Sequence, residues 1–251
     1  MVHFVGAGPG AADLITLRGA RLLSEADVII YAGSLVNPAL LEGRKEGCAV
    51  YDSASMTLEE VIAVMEKAEA EGRTTVRLHT GDPSLYGAIR EQMDLLDERG
   101  IGYDVTPGVS SFSGAAAALE AEYTLPDVSQ SVIITRMAGR TPVPEGEALS
   151  KMASHGCTMV LFLSTGLLEE VERELMAGGY APDAPAAIVY KATRPDQKVC
   201  RCTVATLART AREHQISKTA LITVGGFLGD RYERSKLYDP SFAHGYREAS
   251  K

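Results

Sequence analysis

The sequence lacks an excess of basic residues. Its 251 residues include 25 lysines and arginines against 33 aspartates and glutamates, which gives a formal net charge of −8. Nucleic-acid binding needs a concentrated basic surface, so this composition argues against nucleic acid as the main partner. A pocket can still be locally basic in an acidic protein, and an anionic small molecule is therefore not excluded.

Long apolar runs are also missing. No stretch approaches the ~18 apolar residues that a membrane-spanning helix requires. The N-terminus has no basic region followed by a long apolar run, and residues 2–5 already have the pattern of a strand, which argues against a signal peptide. We therefore expect no membrane association and a cytoplasmic location.

Cysteine is scarce, with four in the chain. Cys48 and Cys157 lie in or beside apolar runs, and Cys200 and Cys202 alternate in a predicted strand, which favours reduced structural thiols over a disulfide framework. The pairs Cys200-x-Cys202 and His155-x-Cys157 lack partner ligands at zinc-site spacing, and the five histidines form no H-E-x-x-H motif. We predict no metal site.

What the sequence does contain is a regular alternation of short apolar runs with helical patterns. Ten runs are predicted as strands, at residues 2–5, 28–31, 49–51, 75–78, 103–105, 132–134, 159–163, 186–190, 199–203 and 220–224. This alternation favours an α/β protein with mostly parallel sheets. Residues 123–130 (YTLPDVSQ) have little periodicity and resemble a linker. We predict two αβα domains, residues 1–126 and 127–251, with an irregular tail from residue 226.

The clearest predicted helix covers residues 58–71. Thr57 and Glu60 form a capping box before it, and Gly72 supplies the stop. Two further helices are predicted over residues 85–99 and 167–177.

The first loop, GAGPG, follows the first predicted strand. Gly6, Gly8 and Ala11 satisfy the G-x-G-x-x-G/A pattern of dinucleotide-binding proteins. Pro9, however, has no N–H to offer a phosphate, and no acidic residue follows the strand at 28–31 to bind a ribose. We therefore predict that the loop does not bind a dinucleotide. For the glycines alone, a tight turn without a ligand remains an alternative.

Two other polar loops follow predicted strands, TGDPSLYG and TPGVSSFSG. Asp82 could accept hydrogen bonds from a ribose diol or an ammonium group, or it could cap a helix that starts at Leu85. Ser110 and Ser111 lie at a helix start, where capping explains one serine but not two. His79 precedes TGDP, and we expect it to be buried with its hydrogen bonds satisfied.

Four stretches together resemble the tetrapyrrole methylases, the S-adenosylmethionine-dependent family of corrinoid and siroheme synthesis. They are VGAGPGAADLITLRGARLLSEADVIIY, GDPSLYG, PGVSSFSGAAAAL and LFLSTG, in this order along nearly the whole chain. Within the family, YAGSLVNP at residues 31–38 is similar to the members that methylate carbon 11 of precorrin-4 or cobalt-precorrin-4, giving precorrin-5 or its cobalt form. The resemblance implies two unequal αβα domains with an active-site cleft between them, usually in a homodimer.

The resemblance also implies which residues hold the methyl donor, S-adenosyl-L-methionine, and its product S-adenosyl-L-homocysteine. Carried over residue by residue, they are Pro9, Thr80, Gly81, Asp82, Leu85, Ser110, Ser111, Thr165 and Ala192. The glycine-rich loop would then help to form the tetrapyrrole pocket and the cofactor site, and would not hold a pyrophosphate.

The implied substrate is a polyanionic tetrapyrrole, so cationic or amide partners are required in the site. Candidates are Arg18, Arg136 and Lys191, each near a predicted strand end or loop, and Tyr86 as a residue lining the site. A solvated surface charge is the alternative for each cation, and core packing is the alternative for Tyr86. No catalytic base is identified; a water molecule or the substrate itself could accept the proton.

Three alternatives stay open from the sequence. The chain could be another tetrapyrrole C-methyltransferase, such as uroporphyrinogen III methyltransferase, an NAD-dependent oxidoreductase that uses the opening glycines, or a non-catalytic adenosine-binding module. Pro9 and the missing ribose-binding acid oppose the oxidoreductase, and the polar loops in both halves oppose the binding module. The sequence does not decide whether the substrate carries cobalt.

Overall fold

The computed structural model describes residues 1–250, apart from the side chain of Ser34. These residues form two compact units. The first contains Met1–Ala115 together with Lys191–Asp196, and the second contains Ala116–Tyr190 and the chain from Gln197 onward. The division into two domains between residues 126 and 127 remains a prediction.

The first unit is built on a five-stranded sheet whose four pairings are all parallel. Its strands are β1 (Val2–Gly6), β2 (Val28–Tyr31), β3 (Ala49–Asp52), β4 (Thr75–His79) and β5 (Tyr103–Thr106), in the order β3-β2-β4-β1-β5. The helices are α1 (Leu17–Glu25), α2 (Leu58–Ala70), α3 (Arg90–Glu98) and α4 (Ser111–Leu119), within which the division between the units falls. Because every strand runs the same way, the loops after the strands share one edge of the sheet.

Both faces of this first sheet are covered. On one face, Phe4 and Ile30 pack with Ile62 and Met65 of α2. On the other face, neighbouring strand residues such as Ile29 pack with α1 residues. Full burial of one such aliphatic side chain stabilises the fold by about 1.5–3 kcal/mol. A strand apolar on both faces is typical of a parallel sheet between helical layers.

The second unit contains the other five-stranded sheet. Its strands are β6 (Val132–Arg136), β7 (Thr158–Phe162), β8 (Pro185–Tyr190), β9 (Lys198–Thr203) and β10 (Ala220–Val224), in the order β6-β7-β10-β8-β9. Its helices are α5 (Leu149–Ala153), α6 (Leu168–Ala177) and α7 (Leu207–Glu213). Leu161, Ile188 and Ile222 of this sheet are buried with Val171 and Leu207 of the helices.

The predicted α/β class is confirmed, with a correction to strand direction in the second sheet. Strands β6 and β7 are parallel, but the other three pairings are antiparallel. The expectation of mostly parallel strands therefore holds throughout the first sheet and for one pair of the second. The reason is connectivity: β8 runs into β9 with no helix between them, and parallel neighbours require a long crossover, usually a helix.

The predicted helix after Thr57 is confirmed together with its caps. The Thr57 hydroxyl accepts the Glu60 N–H at 3.3 Å, and the Glu60 carboxylate accepts the Thr57 N–H at 2.7 Å. Gly72 has a φ of +66°, a conformation that favours glycine at a helix end.

The helix predicted to start at Leu85 begins instead at Arg90. The residues before it form a tight turn, in which Tyr86 and Ala88 have φ values of 57° and 49°. A Cβ atom on Gly87 would lie 2.2 Å from the carbonyl oxygen of Pro83, so the chain folds back on itself too tightly for a helix.

The segments predicted to be irregular are so in the structure. Residues 123–130 contain turns and one isolated bridge, between Leu125 and Ser129. Beyond Gly229 the described chain forms only a 3₁₀ turn at Lys236–Tyr238 and a bridge between His244 and Arg247. The four cysteines are unpaired. None of the helices within residues 1–250 has both the length and the apolar character needed to cross a membrane.

Candidate active site

The loops after β1 and β4 meet at the carboxyl edge of the first sheet. Gly8 and Gly81 form an antiparallel bridge, with N–H···O distances of 3.2 Å and 2.9 Å in the two directions. Both have positive φ values, 80° and 63°, which a glycine adopts without strain. In the strand order β3-β2-β4-β1-β5, the connection from β1 to β2 runs toward one end of the sheet, and the connection from β4 to β5 runs toward the opposite end. Ligands of open α/β sheets bind at such a reversal of strand order.

A third loop, after β5, packs against these two through glycine. A Cβ on Gly108 would lie 2.1 Å from the Gly81 carbonyl oxygen, and a Cβ on Gly6 would lie 2.5 Å from the Gly108 Cα. No side chain fits at either position. The glycines therefore allow three backbone segments to approach one another closely, which gives them a structural reason beyond the dinucleotide pattern.

Asp82 ties the loop after β4 to the loop after β5. One carboxylate oxygen accepts the Gly108 N–H at 2.8 Å, and the other accepts the Ser84 N–H at 2.9 Å and the Ser84 hydroxyl. Partial burial works to raise the pKa of Asp82, but the hydrogen bonds from Ser84 and Gly108 outweigh it, so the pKa is lowered from 3.8. Asp82 is therefore ionised at neutral pH and retains acceptor capacity for a further donor.

Thr80 carries a buried hydroxyl with no hydrogen-bond partner among the described residues. It lies between the last residue of β4 and the Gly8–Gly81 bridge. An unpaired buried hydroxyl costs free energy unless a ligand or water satisfies it. Thr80 is thus the polar group at this edge that most clearly lacks a protein partner.

His79 differs from its expectation. It is buried as predicted, but its Nε2 atom has no hydrogen-bond partner within residues 1–250. Burial, with a smaller contribution from the positive charge of Arg77, lowers the pKa of His79 to about 3. The ring packs 6.0 Å from the Phe4 ring, centroid to centroid, and stays neutral at physiological pH because the apolar core disfavours the charged form.

Ser110 and Ser111 lie beside the glycine bridge. A Cβ on Gly81 would be 3.3 Å from both the backbone nitrogen and the hydroxyl of Ser111, and 3.6 Å from the Ser110 Cα. Ser110 is buried, and Ser111 is the first residue of α4. The structure therefore brings both serines to the loop that carries Thr80, Gly81 and Asp82. Leu85 follows, with its N–H donated to the Asp82 carbonyl at 3.3 Å.

Pro9 and Ala192 are close together within the first unit. A Cβ added to Gly114 would lie 2.7 Å from the Pro9 Cβ and 3.5 Å from the Ala192 Cβ. Ala192 belongs to the short segment Lys191–Asp196, hereafter the 191–196 segment. The Ala11 N–H donates to the Thr193 hydroxyl at 2.9 Å, which fastens this segment to the chain just after the glycine-rich loop.

The same edge of the first sheet exposes large apolar side chains. Leu17 is 92% exposed, and Leu35, Tyr86 and Val109 are each more than a third exposed. They follow β1, β2, β4 and β5 respectively, so four of the five strands lead into a loop or helix start that presents one. An apolar rim around polar backbone groups is typical of a site for a large ligand with an apolar body.

The candidate substrate-binding cations have different surroundings. Arg18 is exposed. Lys191 forms an ion pair with Asp196. Arg136 donates to the carbonyl oxygens of Met137, Thr141 and Pro142, so its guanidinium holds its own loop in the second unit.

Thr165 lies in the second unit, where its hydroxyl donates to the Ala220 carbonyl at 3.0 Å. It lines a surface groove of about 350 Å³ between the start of α6 and α7. The ion pair between Arg212 and Glu169, 2.7 Å, is part of that groove. No group of three or more His, Cys, Asp or Glu side chains in the described part of the chain is arranged to hold a metal ion.

Comparison with known proteins places this chain in a family. The profile of the tetrapyrrole (corrin/porphyrin) methylases matches residues 1–208. The cobalt-precorrin-4 C(11)-methyltransferase of Methanocaldococcus jannaschii is 52% identical over 251 residues, covering 100% of this chain and 97% of the relative. The precorrin-4 C(11)-methyltransferase of a Sinorhizobium species is 46% identical over 98% of both chains.

Solved structures agree with the sequence comparison. The X-ray structure of the cobalt precorrin-4 methyltransferase CbiF superposes with a TM-score of 0.89 at 48% identity, covering 91% of this chain and 96% of that one. A uroporphyrin-III C-methyltransferase from Thermus thermophilus, complexed with S-adenosyl homocysteine, gives 0.73 at 25% identity, covering 90% and 92%. The chain belongs to the tetrapyrrole methylase family and is a methyltransferase.

Proposed function

We propose that this protein methylates carbon 11 of precorrin-4 or cobalt-precorrin-4, within cobalamin biosynthesis, to give precorrin-5 or cobalt-precorrin-5. The observation that carries the proposal is full-length identity of 46–52% to relatives named for this reaction. The carboxyl edge of the first sheet offers both an apolar rim and polar groups, as a large polyanionic substrate and a small polar donor would require.

S-adenosyl-L-methionine is the methyl donor in this proposal, and the residues at the edge of the first sheet fit it. The unpartnered Thr80 hydroxyl can bind a polar group of the donor, and the ionised Asp82 can accept from ribose hydroxyls. Gly81 keeps the backbone open to close approach, and Leu85 is half-buried beside it. When bound, the donor supplies a methyl group activated by a positively charged sulfur.

The remaining proposed donor contacts come from three further segments. Ser110 and Ser111 provide hydroxyls beside Gly81, and Pro9 and Ala192 provide an apolar surface. Thr165 is retained as a proposed contact through its backbone or methyl group, because its hydroxyl already donates to Ala220.

The substrate is proposed to rest against the apolar rim, with Tyr86 as one wall. Arg18 is the exposed cation available for a substrate carboxylate in the first unit. Lys191 would have to exchange Asp196 for the substrate, and Arg136 would have to release backbone carbonyls. We therefore expect Arg18 to contribute more to substrate affinity than the other two.

The chain's own residues catalyse the transfer mainly by positioning. Fixing two reactants in line can supply about 7–11 kcal/mol of a barrier, and the three close-packed glycine loops hold their backbone groups rigidly for this purpose. The ionised Asp82 keeps the loops after β4 and β5 together while the donor is bound. No side chain of the described edge is assigned as the base, and His79 is excluded from that role by its buried, apolar surroundings.

The test is turnover of purified substrates. Incubation with precorrin-4 and, separately, cobalt-precorrin-4 in the presence of a donor with a labelled methyl group should place the label at carbon 11 by NMR. The substrate that is methylated at the higher rate indicates whether the natural substrate contains cobalt. Label at another carbon, or none with either substrate, would contradict the proposal.

A second candidate is methylation of uroporphyrinogen III, favoured by the structural similarity to the Thermus thermophilus enzyme. Turnover of uroporphyrinogen III exceeding that of both precorrin-4 forms would establish it.

Calorimetric titration with S-adenosylhomocysteine and NAD tests the identity of the donor separately. Binding of the first and not of NAD is expected. A homodimer and a cytoplasmic location complete the proposal.

A further inference from the structure

The segment at residues 31–38 is held in place by one of its own side chains, Asn37, and by one from outside it, Arg194. The amide of Asn37 donates to the Gly10 carbonyl at 2.8 Å, while its oxygen accepts the Ala39 N–H at 3.1 Å. Arg194 donates to the Leu35 carbonyl at 2.6 Å. Leu35 itself is 46% exposed and belongs to the apolar rim. The segment is thus fixed by one bond at its end and one near its middle.

The 191–196 segment, which contains Arg194, is held in a turn by contacts between its own residues. The Arg194 N–H donates to the Lys191 carbonyl at 3.1 Å, and Lys191 pairs with Asp196 across the turn. Lys191 and Thr193 have positive φ values, 45° and 66°, which non-glycine residues adopt only where the surroundings enforce them. A short turn closed by these two contacts can hold a side chain in a fixed direction.

The aliphatic stem of Arg194 lies against Gly10 of the glycine-rich loop. A Cβ on Gly10 would lie 2.8 Å from the Arg194 Cγ and 2.5 Å from the Ala192 carbonyl oxygen. The aliphatic stem therefore crosses directly over Gly10, where only glycine leaves room for it. The guanidinium then reaches the Leu35 carbonyl oxygen.

We propose that Arg194 is a positioning residue that orders residues 31–38, and through Leu35 sets the affinity for the macrocycle without affecting affinity for the donor. The inference rests on the proposed function, because the apolar rim is taken as the macrocycle's surface. It goes beyond that function by assigning substrate affinity to a residue that acts through a backbone carbonyl.

The test compares Arg194→Met, which keeps the stem over Gly10, with Arg194→Lys, which restores a donor. In the ligand-free protein, Arg194→Met should speed hydrogen exchange at the Leu35 and Val36 amides by about threefold to tenfold, the loss expected for one hydrogen bond. KM for the tetrapyrrole should rise by a similar factor, with the dissociation constant of S-adenosylhomocysteine unchanged. Arg194→Lys should recover part of both effects.

Arg209→Met is the matched control, because it removes one exposed arginine of the second unit and changes net charge equally. Unchanged exchange at Leu35 and Val36 in Arg194→Met overturns the proposal. If KM then rises alone, Arg194 binds the substrate directly. Hydrogen exchange and homocysteine-ligand binding need no turnover, so they test the inference even if wild-type protein fails to methylate precorrin-4.

Discussion

Asp82 illustrates how one side chain can serve both the fold and the proposed donor site. Its two carboxylate oxygens accept the N–H groups of Gly108 and Ser84, which lie on different loops. An amide in its place would offer only one acceptor oxygen and would direct an N–H₂ group at one of these donors. The position therefore requires a carboxylate for its two acceptor oxygens as well as for its negative charge.

We predict that Asp82→Asn weakens binding of S-adenosylhomocysteine by about tenfold or more, because the ribose hydroxyls lose a hydrogen bond to a charged acceptor, which contributes about 1.5–3 kcal/mol. Calorimetric titration measures the loss. The control is Asp94→Asn, which removes an exposed carboxylate paired with Arg90. The pKa of Asp82 is lowered in the folded protein. Its contribution to the free energy of unfolding is therefore present at neutral pH and is lost as the pH falls through that pKa. Wild-type affinity in Asp82→Asn would contradict this role.

His79 leads to a prediction about how the stability of the protein depends on pH. Its pKa is 6.5 when unperturbed and about 3 in the folded protein, so between these values the unfolded chain binds a proton that the folded one does not. The free energy of unfolding should therefore fall as pH decreases from 6.5, by up to about 1.4 kcal/mol per unit. His79→Phe should flatten this part of the curve.

Urea unfolding at several pH values measures that slope independently of the absolute stability of each variant. His155→Gln, which changes an exposed histidine, should leave the slope as in the wild type. An acid slope in His79→Phe equal to that of the wild type would show that burial of His79 does not control the pH dependence.

At the scale of elements, a buried arginine connects β4 to α3. Arg77 donates to the Gln92 side-chain oxygen at 3.0 Å and to the Ile30 carbonyl at 3.3 Å, and Gln92 donates to the Ala88 carbonyl at 2.9 Å. Burial lowers the pKa of Arg77 to about 10, so it remains charged at neutral pH. This chain of bonds reaches from the sheet to the tight turn that precedes α3.

We predict strong coupling between Arg77→Met and Gln92→Leu. Each single change leaves a buried polar partner unsatisfied, whereas the double change removes both, so the double variant should be more stable than the summed losses imply by about 0.5–3 kcal/mol. Denaturant midpoints of the four proteins measure the coupling. Additive losses would show that the two side chains act independently.

At the scale of the whole molecule, the order of the chain does not match the division into units. The 191–196 segment belongs to the first unit but is flanked in sequence by β8 and β9, which pair in the second. The first unit therefore lacks the hydrogen bonds of Ala11 to Thr193 and of Arg194 to Leu35 unless the chain between β8 and β9 is correctly formed. This connectivity couples the stability of one unit to that of the other.

We predict a single thermal unfolding transition for the wild-type protein by differential scanning calorimetry, with van't Hoff and calorimetric enthalpies in agreement. The double variant Thr193→Val with Arg194→Met weakens the attachment of the segment and should broaden or divide the transition. Two separate transitions in the wild type would contradict the coupling. Arg209→Met again serves as the control for lost charge.

Most of the secondary structure could be predicted from the order of the residues alone. Apolar periodicity located all ten strands, and local signals such as the Thr57–Glu60 capping box located α2, because these features depend on neighbours within a few residues. Four stretches, VGAGPGAADLITLRGARLLSEADVIIY, GDPSLYG, PGVSSFSGAAAAL and LFLSTG, together resembled the tetrapyrrole methylases, and the family match over residues 1–208 confirms that resemblance.

Other features could not be predicted from local sequence patterns. The antiparallel pairings of the second sheet, the later start of α3 and the unpartnered Nε2 of His79 depend on residues that are distant in sequence. The contacts of Arg194 and Asn37 have no local signature, because a side chain donating to a remote carbonyl leaves no periodic pattern. Local steric and hydrogen-bonding preferences are written in short stretches of sequence, whereas long-range contacts are set when the chain packs.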